Sequence, residues 1–362
     1  MEPLDLWWNA LGQQFGDRAP RPLSEYQGQK GTFFYTGYKG WPVSQVRTNI
    51  PETEAAMLEA EERGLAECGY DPEVRVKFQE EAGLEAEVLN TTRLLAIMRN
   101  PDVEIVQACA QVFNDWEAEF ASYNPKRLIA VSVIPMHDVD WAIKELERTV
   151  RKGHRSAMIN CQAPEGCPPY RNHVYDRFWA AAQDANIPIT LHLLTGRALD
   201  PLIFAYAQTP EQRQENPGLW VDLFNEIQGA LANDFIFGGI LDRFPNLTIV
   251  CSEFEISWVP GFMARLDQIE EIAPRLSVSK LKMRASDYMR TRIYHGFIDD
   301  TLAADSIPLI GTSQILWGSD FPHIRSIGLE AHEAVSKLLE VLRREDQEKL
   351  VGGNAAKVFN VN

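Results

Sequence analysis

Five side chains that could bind a metal ion follow apolar segments in the second half of the chain. His192 closes the segment ITLH, Glu253 closes IVCSE, and His295 lies in IYHGF. Asp320 and His323 lie together in WGSDFPH. Imidazole combined with carboxylate suits Zn, Mn or Fe. The sequence therefore predicts a centre for one or two divalent metal ions, in which Glu253 and Asp320 also serve as catalytic groups that move protons.

Each of these residues also has an ordinary structural explanation. His192 and His295 could be buried core histidines, because both follow or lie within apolar runs. Glu253 could pair with an arginine, and Asp320 could cap the next helix. His323 could contact the substrate instead of a metal.

Three further residues are candidates for substrate binding. Arg93 follows the segment AEVLNTT, and Arg197 follows His192. A guanidinium can bind a carboxylate through two parallel hydrogen bonds, although each arginine could equally form a surface ion pair. Trp41 belongs to an aromatic stretch, Gly31 to Trp41, that could cover an apolar substrate or simply pack the N-terminal hairpin on the rest of the fold.

The elements that must position these residues are strands alternating with helices. Seven apolar segments are predicted as strands, at 86–92, 127–135, 155–160, 187–194, 247–254, 292–297 and 314–321. Strands that are apolar on both faces and alternate with helices indicate a parallel sheet covered by helices. A doubly wound sheet and a (β/α)8 barrel both fit, and polar residues at several strand ends favour the barrel. The barrel needs one more strand.

Alternation along each strand predicts which side chains share a face. It puts Thr190 and His192 on one face of their strand, and Ile249, Cys251 and Glu253 on one face of theirs. The N-terminal part differs. Residues 31–41 are typical of a hairpin, and residues 52–82 are acidic with a helical pattern. We therefore expect one barrel domain over 1–362, with an insertion at 20–82.

The charge balance excludes several classes of partner. Lys+Arg 35 against Asp+Glu 51 gives 35 − 51, a net charge of −16. Nucleic acids and anionic membranes both require a basic surface. The five cysteines have no C-x-x-C spacing and are expected as free thiols. No signal peptide or bilayer-spanning segment is recognised, so we expect a soluble, cytoplasmic protein that acts on a small molecule.

Several motifs together resemble the amidohydrolase superfamily, in its amidohydrolase-related branch with aminocarboxymuconate-semialdehyde decarboxylase and resorcylate-type decarboxylases. The resemblance rests on ILWGSDFPH and ITLHLLTG, supported by residues 113–135, 175–192, 252–267 and 352–359. It implies a (β/α)8 barrel with metal at the C-terminal mouth, and a homodimer. It also implies that His192 is the metal-binding histidine after strand five. Asp320 would be the aspartate after strand eight, as a ligand or a proton-transfer group.

Two departures from the family pattern bear on function. Relatives carry an Asp-x-His pair shortly before the segment that matches EPLDLW, at 2–7. We expect the first strand and its ligands either to lie upstream of Met1 or to be replaced by another segment, because a barrel short of one strand has two unpaired edges. In addition, family decarboxylases place a catalytic histidine after strand six, where this chain has Glu253.

The expected function is metal-dependent hydrolysis or non-oxidative decarboxylation of a small carboxylated substrate. A second hypothesis is a nonheme di-iron monooxygenase that hydroxylates an apolar, terpenoid-like substrate, because five candidate ligands exceed the needs of one tetrahedral ion and the superfamily includes such an enzyme. A third is a metal-free binding protein on a degenerate barrel, if the first-strand ligands are missing.

Overall fold

Seven parallel strands form a curled sheet at the centre of the molecule. The computed structural model describes residues 2–42, 67–195, 218–272, 281–321, 326–340 and 342–361, and the elements below belong to this part of the chain. The strands are β1 (Arg21–Tyr26), β2 (Gln29–Tyr35), β3 (Gly40–Pro42), β4 (Glu87–Leu89), β5 (Leu128–Val133), β6 (Ser156–Ile159), β7 (Ile189–His192), β8 (Ile249–Ser252), β9 (Ile293–Phe297) and β10 (Ile315–Trp317). Strands β4 to β10 lie side by side in chain order, all parallel. All seven predicted strands are confirmed.

Helices follow the strands and cover the outside of the sheet. The α-helices are α1 (Leu6–Phe15), α2 (Pro72–Ala82), α3 (Arg93–Ile97), α4 (Val103–Ser122), α5 (Val139–Lys152), α6 (Asp176–Asp184), α7 (Gly218–Ala230), α8 (Ile240–Arg243), α9 (Val259–Ile272), α10 (Ala285–Thr291), α11 (Ala303–Ile310), α12 (Ala331–Leu339), α13 (Arg344–Glu348) and α14 (Asn354–Val358). Wider π-helical turns continue α7 at Leu231–Ile236 and α13 at Lys349–Gly353. This alternation is that of the predicted barrel fold.

Alternate side chains of the strands divide between two cores. Ile129, Val250 and Leu316, from β5, β8 and β10, belong to one buried cluster with Phe359 near the C-terminus. These strands are not neighbours, so their side chains can meet only inside the curl of the sheet. The intervening residues, such as Cys251, belong to the larger core between the sheet and the helices. Strand alternation thus decides which residues face the interior of the barrel.

The sheet is open between its first and last strands. Among the described residues, β4 pairs only with β5, and β10 pairs only with β9. Outside this opening, Phe78 of α2 stacks on Phe321, which follows β10, with ring centroids 4.3 Å apart. The frame is therefore a barrel with seven of its eight strands in the described residues, as the strand count predicted.

The N-terminal segment forms a small antiparallel sheet. β1 pairs with β2, and β2 pairs with β3, so that Phe34 lies opposite Trp41. Trp7 of α1 is fully buried beside Phe34, and its Nε1 donates to the Cys109 carbonyl of α4 at 3.0 Å. The predicted hairpin is confirmed. The acidic helical prediction for 52–82 is met by α2, whereas 43–66 lie outside the described residues.

The start of α4 is set by an aspartate cap. The helix begins at Val103, two residues after Pro101. Asp102 is the N-cap, and its carboxylate accepts the Ile105 N–H at 3.4 Å. Asn100 instead accepts the Asp102 N–H at 2.9 Å. The aspartate takes over the capping position because Asn100 shapes the turn that precedes it.

Two broader expectations concern bilayers and thiols. No helix in the described ranges combines the length and the apolar character that crossing a bilayer requires. All five cysteines are free, and four of them are buried.

Candidate active site

His192 and Glu253 meet at the carboxyl end of the parallel sheet. His192 is the last residue of β7 and pairs in register with Ser252, the last residue of β8. The His192 Nε2 lies 3.2 Å from the Glu253 Oε2, and both side chains are largely buried. The structure therefore brings together two of the five predicted ligands.

Glu253 contacts His192 because the backbone turns just after β8 ends. Alternation of side chains along the strand does not account for this contact. β8 ends at Ser252, and Glu253 has a φ of 70°. The expectation that Cys251 and Glu253 share a face is wrong, since Cys251 packs in the core beneath the helices. A left-handed conformation is unusual for a residue other than glycine, and such strain is concentrated at functional sites. The expectation that Thr190 and His192 share a face is confirmed, since the alternate residues of β7, Ile189 and Leu191, pack in the core beneath the helices.

The hydrogen bond of the other ring nitrogen defines the proton on His192. Its Nδ1 lies 2.8 Å from the Leu193 carbonyl oxygen, which can only accept. Nδ1 therefore carries a proton, and Nε2 is the ring nitrogen that meets the Glu253 carboxylate. In a neutral ring Nε2 is a lone-pair donor, so Nε2 and the Glu253 carboxylate together offer two donor atoms to a divalent cation at this position.

Asp320 lies in the same cavity. The cavity has a volume of about 1390 Å³ and runs through the opening of the sheet, where residues of β4, β8 and β10 line it. His192, Glu253 and Asp320 all contribute to its wall. Asp320 also has a left-handed backbone, with a φ of 53°. It follows β10, and the carbonyl of the preceding residue, Ser319, accepts the Ile327 N–H at 2.8 Å.

Asn90 and Ser252 are polar residues of this cavity that the sequence analysis did not single out. The Asn90 Nδ2 donates to the Ser252 Oγ at 3.2 Å, which joins the ends of β4 and β8 across the mouth. Both residues line the cavity beside Glu253. A signal was present, because Asn90 directly follows a strand and the ends of parallel strands carry active-site residues in barrels.

The structure does not bring His295 to this site. β9 directs His295 into the core beneath the helices, where it is fully buried and its Nε2 donates to the Met289 carbonyl at 3.0 Å. Its ring meets Trp258 edge-on. Burial lowers the pKa of His295 to about 4, so its ring is neutral. This corresponds to the structural alternative stated for His295. His323 and Arg197 lie outside the described residues.

Arg93 and Trp41 also lie elsewhere. Arg93 forms an ion pair with the buried carboxylate of Glu2, at 3.7 Å, and its backbone N–H donates to the same carboxylate. Trp41 belongs to β3 and packs with the N-terminal sheet. Neither is among the described residues that line the cavity. The geometry favours the alternatives given for them, an ion pair and hairpin packing.

The metal donors are incomplete in the described part of the chain. No group of three or more His, Cys, Asp or Glu side chains is close enough there to hold a metal ion by itself. His192 and Glu253 supply two donors within 3.2 Å, and Asp320 lines the same cavity.

A curled parallel sheet with helices outside, and a histidine–carboxylate pair at its carboxyl end, defines an enzyme of the barrel class. The model of the family described as Amidohydrolase matches residues 69–361. The chain belongs to this family, and it is an enzyme.

The curated relatives are decarboxylases. The gamma-resorcylate decarboxylase of Polaromonas sp. (strain JS666) is 25% identical over 326 residues, 86% of this chain and 91% of that protein. The 2-amino-3-carboxymuconate-6-semialdehyde decarboxylase of Dictyostelium discoideum is 22% identical over 307 residues, 81% of this chain and 77% of that protein. The resemblance to this branch is confirmed.

Solved structures agree on the fold. An amidohydrolase from Mycobacterium avium subsp. paratuberculosis K-10 superposes with a TM-score of 0.78 at 19% identity, over 100% of this chain and 96% of that chain. The dihydroxybenzoic acid decarboxylase of Polaromonas sp. JS666, with bound manganese and the inhibitor 2-nitroresorcinol, gives 0.62 at 22% identity, over 80% of this chain and 85% of that chain. These relatives lend no support to the monooxygenase hypothesis, and family membership argues against a metal-free binding protein.

Proposed function

We propose that this protein is a divalent-metal-dependent decarboxylase that releases CO2 from a small aromatic acid. The observation that carries the proposal is the contact between Nε2 of His192 and the carboxylate of Glu253, at 3.2 Å, while Nδ1 of the same ring donates to the Leu193 carbonyl. This contact places two candidate metal donors together at the carboxyl end of the sheet. An imidazole with a carboxylate suits Mn, Zn or Fe.

His192 and Glu253 suit such an ion in chemical type and would supply two of its ligands. The orientation of the His192 ring supports this assignment. Its Nδ1 donates a hydrogen bond to the Leu193 carbonyl, so Nε2 is the nitrogen available to bind a metal ion. A bound divalent ion would act as a Lewis acid toward the oxygens of the substrate. His323 remains a proposed further ligand, and Arg197 a proposed substrate contact.

The cavity suits a flat ring that carries oxygen substituents. Val250, Leu316 and Trp317 supply apolar wall, and Asn90 and Ser252 supply a donor and a hydroxyl. An apolar wall with a few placed polar groups is typical of a small-molecule site. Glu253 and Asp320 give the cavity acidic side chains, and Arg93, the expected partner for a carboxylate, forms an ion pair with Glu2. We therefore expect a bound cation, and not Arg93, to hold the carboxylate of the substrate.

Decarboxylation needs a proton at the carbon that loses the carboxyl group. The carbon–carboxyl bond breaks, its electron pair stays on the ring carbon, and CO2 leaves. A proton then bonds to that carbon in place of the carboxyl group. Asp320 is the proposed donor, because it is an acidic residue that lines the same cavity from the end of a different strand, β10. Family decarboxylases have a catalytic histidine at the position of Glu253. Because this chain lacks that histidine, we propose that the proton comes from a carboxylic acid, that of Asp320.

The relatives support the reaction class. The Polaromonas and Dictyostelium proteins that match most of this chain are decarboxylases, and one related structure contains manganese. By the same resemblance we expect a homodimer, and we retain the expectation of a cytoplasmic location.

The test measures CO2 release by the purified chain with Mn²⁺, Zn²⁺ or Fe²⁺. The substrates are 2,6-dihydroxybenzoate and 5-carboxyvanillate, with benzoate as an acid that lacks ring hydroxyls. We expect CO2 from a hydroxylated acid with added metal, its loss on chelation, and its return when metal is restored. Glu253→Gln should be inactive, whereas His173→Ala, at an exposed histidine remote from the cavity, should match the wild type.

Other outcomes would replace the proposal. Cleavage of aryl esters or lactones without CO2 release would make the protein a hydrolase of the same family. Dioxygen consumption coupled to substrate hydroxylation would revive the monooxygenase hypothesis.

A further inference from the structure

The turn that follows β7 is tied to His192 by buried hydrogen bonds. His192, Leu193, Leu194 and Thr195 form this turn, and Leu194 has a left-handed φ of 71°. The Leu193 N–H donates to the Ser252 carbonyl at 3.2 Å, and the side chain of Arg99 donates to the Leu194 carbonyl. The carbonyl of Leu193 that orients the His192 ring therefore belongs to a backbone segment fixed from several sides.

Thr195 lies at the centre of these bonds. Its hydroxyl is buried and donates to the His192 carbonyl at 2.7 Å, and it accepts the Cys161 N–H at 3.1 Å. The Thr195 carbonyl in turn accepts from the Asn160 side chain at 3.1 Å. This one hydroxyl thus joins the turn after β7 to the end of β6.

Cys161 adds a second, weaker tie to the same carbonyl. Its Sγ lies 3.3 Å from the His192 carbonyl oxygen. Burial raises the pKa of this thiol well above its ordinary value, so it remains an S–H donor. The His192 carbonyl therefore accepts from a hydroxyl and a thiol on one side of the turn.

We propose that Thr195 is the positioning residue of the metal site, because its hydroxyl anchors the turn whose Leu193 carbonyl accepts the hydrogen bond from Nδ1 of His192. Without the hydroxyl, the turn is free to move the Leu193 carbonyl away from Nδ1. The ring then loses its fixed tautomer, and Nε2 is protonated in part of the molecules. A protonated Nε2 cannot bind a metal ion. The inference rests on the proposed function in assigning a metal to His192.

The experiment compares three substitutions of buried threonines. Thr195→Val removes the hydroxyl with little change in shape, and Thr195→Ser restores it. Thr149→Val is the matched control, because Thr149 is fully buried and its hydroxyl also donates to a backbone carbonyl, that of Leu146 at 3.0 Å, in helix α5. Mn²⁺ affinity is measured by calorimetry on metal-free protein, and nitrogen-15 shifts of the histidine rings report which nitrogen carries the proton.

Thr195→Val should weaken Mn²⁺ binding by about tenfold or more, and Thr195→Ser should recover most of that affinity. Thr149→Val should bind as the wild type does. The nitrogen-15 spectra should show His192 protonated on Nδ1 in the wild type and in the serine variant, and a mixture of tautomers in the valine variant. Equal Mn²⁺ affinity and an unchanged tautomer in Thr195→Val would overturn the inference.

Two further variants cover a failure of Thr195→Val to fold and a failure of the proposed function. If Thr195→Val does not fold, Cys161→Ala removes the weaker tie and should lower Mn²⁺ affinity by about threefold, the equivalent of less than one hydrogen bond; no change would overturn the inference. The proposed function fails separately, if His192→Ala binds Mn²⁺ as tightly as the wild type. The tautomer measurement needs no metal, so it tests the role of Thr195 in that case too.

Discussion

At the scale of single residues, the chemistry depends on where one proton is. Nδ1 of His192 donates to the Leu193 carbonyl, which leaves Nε2 facing the Glu253 carboxylate at 3.2 Å. Either residue alone would be an ordinary buried polar group. Their contact brings a nitrogen and an oxygen donor together, and it makes substitutions at the two positions informative in different ways.

We expect His192→Ala to abolish metal binding and activity while the fold remains largely intact. The ring faces the cavity and not a packed core, so its removal leaves the packing between the sheet and the helices in place. Metal content per chain, measured by mass spectrometry, checks the prediction, and circular dichroism checks the fold. Full metal occupancy in the variant would contradict the assignment of His192 as a ligand.

Asp320 allows its charge and its backbone conformation to be separated. Its φ of 53° is tolerated by asparagine but not by alanine. Asp320→Asn should reduce kcat by about a hundredfold or more and leave the free energy of unfolding nearly unchanged. Asp320→Ala should lose the same activity and a further 1–2 kcal/mol, roughly, of stability. Urea titrations and initial rates measure both effects, and an active Asp320→Asn enzyme would exclude the proposed proton donor.

At the scale of elements, the strands could be predicted because each has two buried faces. The residues 249–251, for example, are consecutive apolar residues, and β8 divides Val250 and Cys251 between the inner and outer cores. Such runs are typical of parallel sheets. Polar residues at strand ends likewise located His192 and Asp320 correctly at one cavity.

The rest of the site could not be read from alternation. Glu253 lies one residue beyond β8, and its left-handed φ sends the side chain to His192 instead of outward. His295 has the same residue type as His192, but it is the central residue of β9 and points into the core beneath the helices, on the same face as Ile293 and Phe297. A one-residue difference in position thus reverses a prediction based on residue type.

A substitution at Gly296 in β9 tests how closely β9 packs against the end of β8, which precedes Glu253. A Cβ there would lie 2.9 Å from the Cys251 carbonyl oxygen, so the end of β8 would have to move. Gly296→Ala should cost roughly 1–3 kcal/mol of stability and lower activity by displacing Glu253. The control is Gly261→Ala in α9, where nothing lies within 4 Å; it should be neutral or stabilise by up to about 1 kcal/mol. Equal unfolding curves for the two variants would contradict the close contact.

At the scale of the whole molecule, the opening between β4 and β10 is compensated from outside. Phe78 of α2 reaches across to stack on Phe321, and Phe359 fills the interior of the sheet together with Ile129 and Leu316. The edges of a parallel sheet are normally paired or covered. These contacts join the N-terminal and C-terminal parts of the described barrel, so the opening becomes a substrate-sized cavity and not a break in the fold.

The stability of this fold should decrease as the solution becomes acidic, in part because of His295. Burial holds the pKa of His295 at about 4 in the folded state, against an ordinary value of 6.5. Between pH 6.5 and 4 the unfolded chain binds a proton that the folded chain does not, so the free energy of unfolding falls as the pH falls. One such group contributes a slope of about 1.4 kcal/mol per pH unit. His154, whose pKa burial also lowers to about 4, contributes in the same direction.

Urea titrations of the wild type and of His295→Gln at several values between pH 4 and 7 measure this slope. Glutamine cannot titrate, and its amide can still donate to the Met289 carbonyl that His295 contacts. The variant should therefore lose about 1.4 kcal/mol per pH unit of the wild-type slope and retain the part that belongs to His154. Parallel curves for the two proteins would mean that His295 takes up its proton in the folded state. That result would require an exposed or charge-paired ring instead of the buried, neutral one that packs against Trp258.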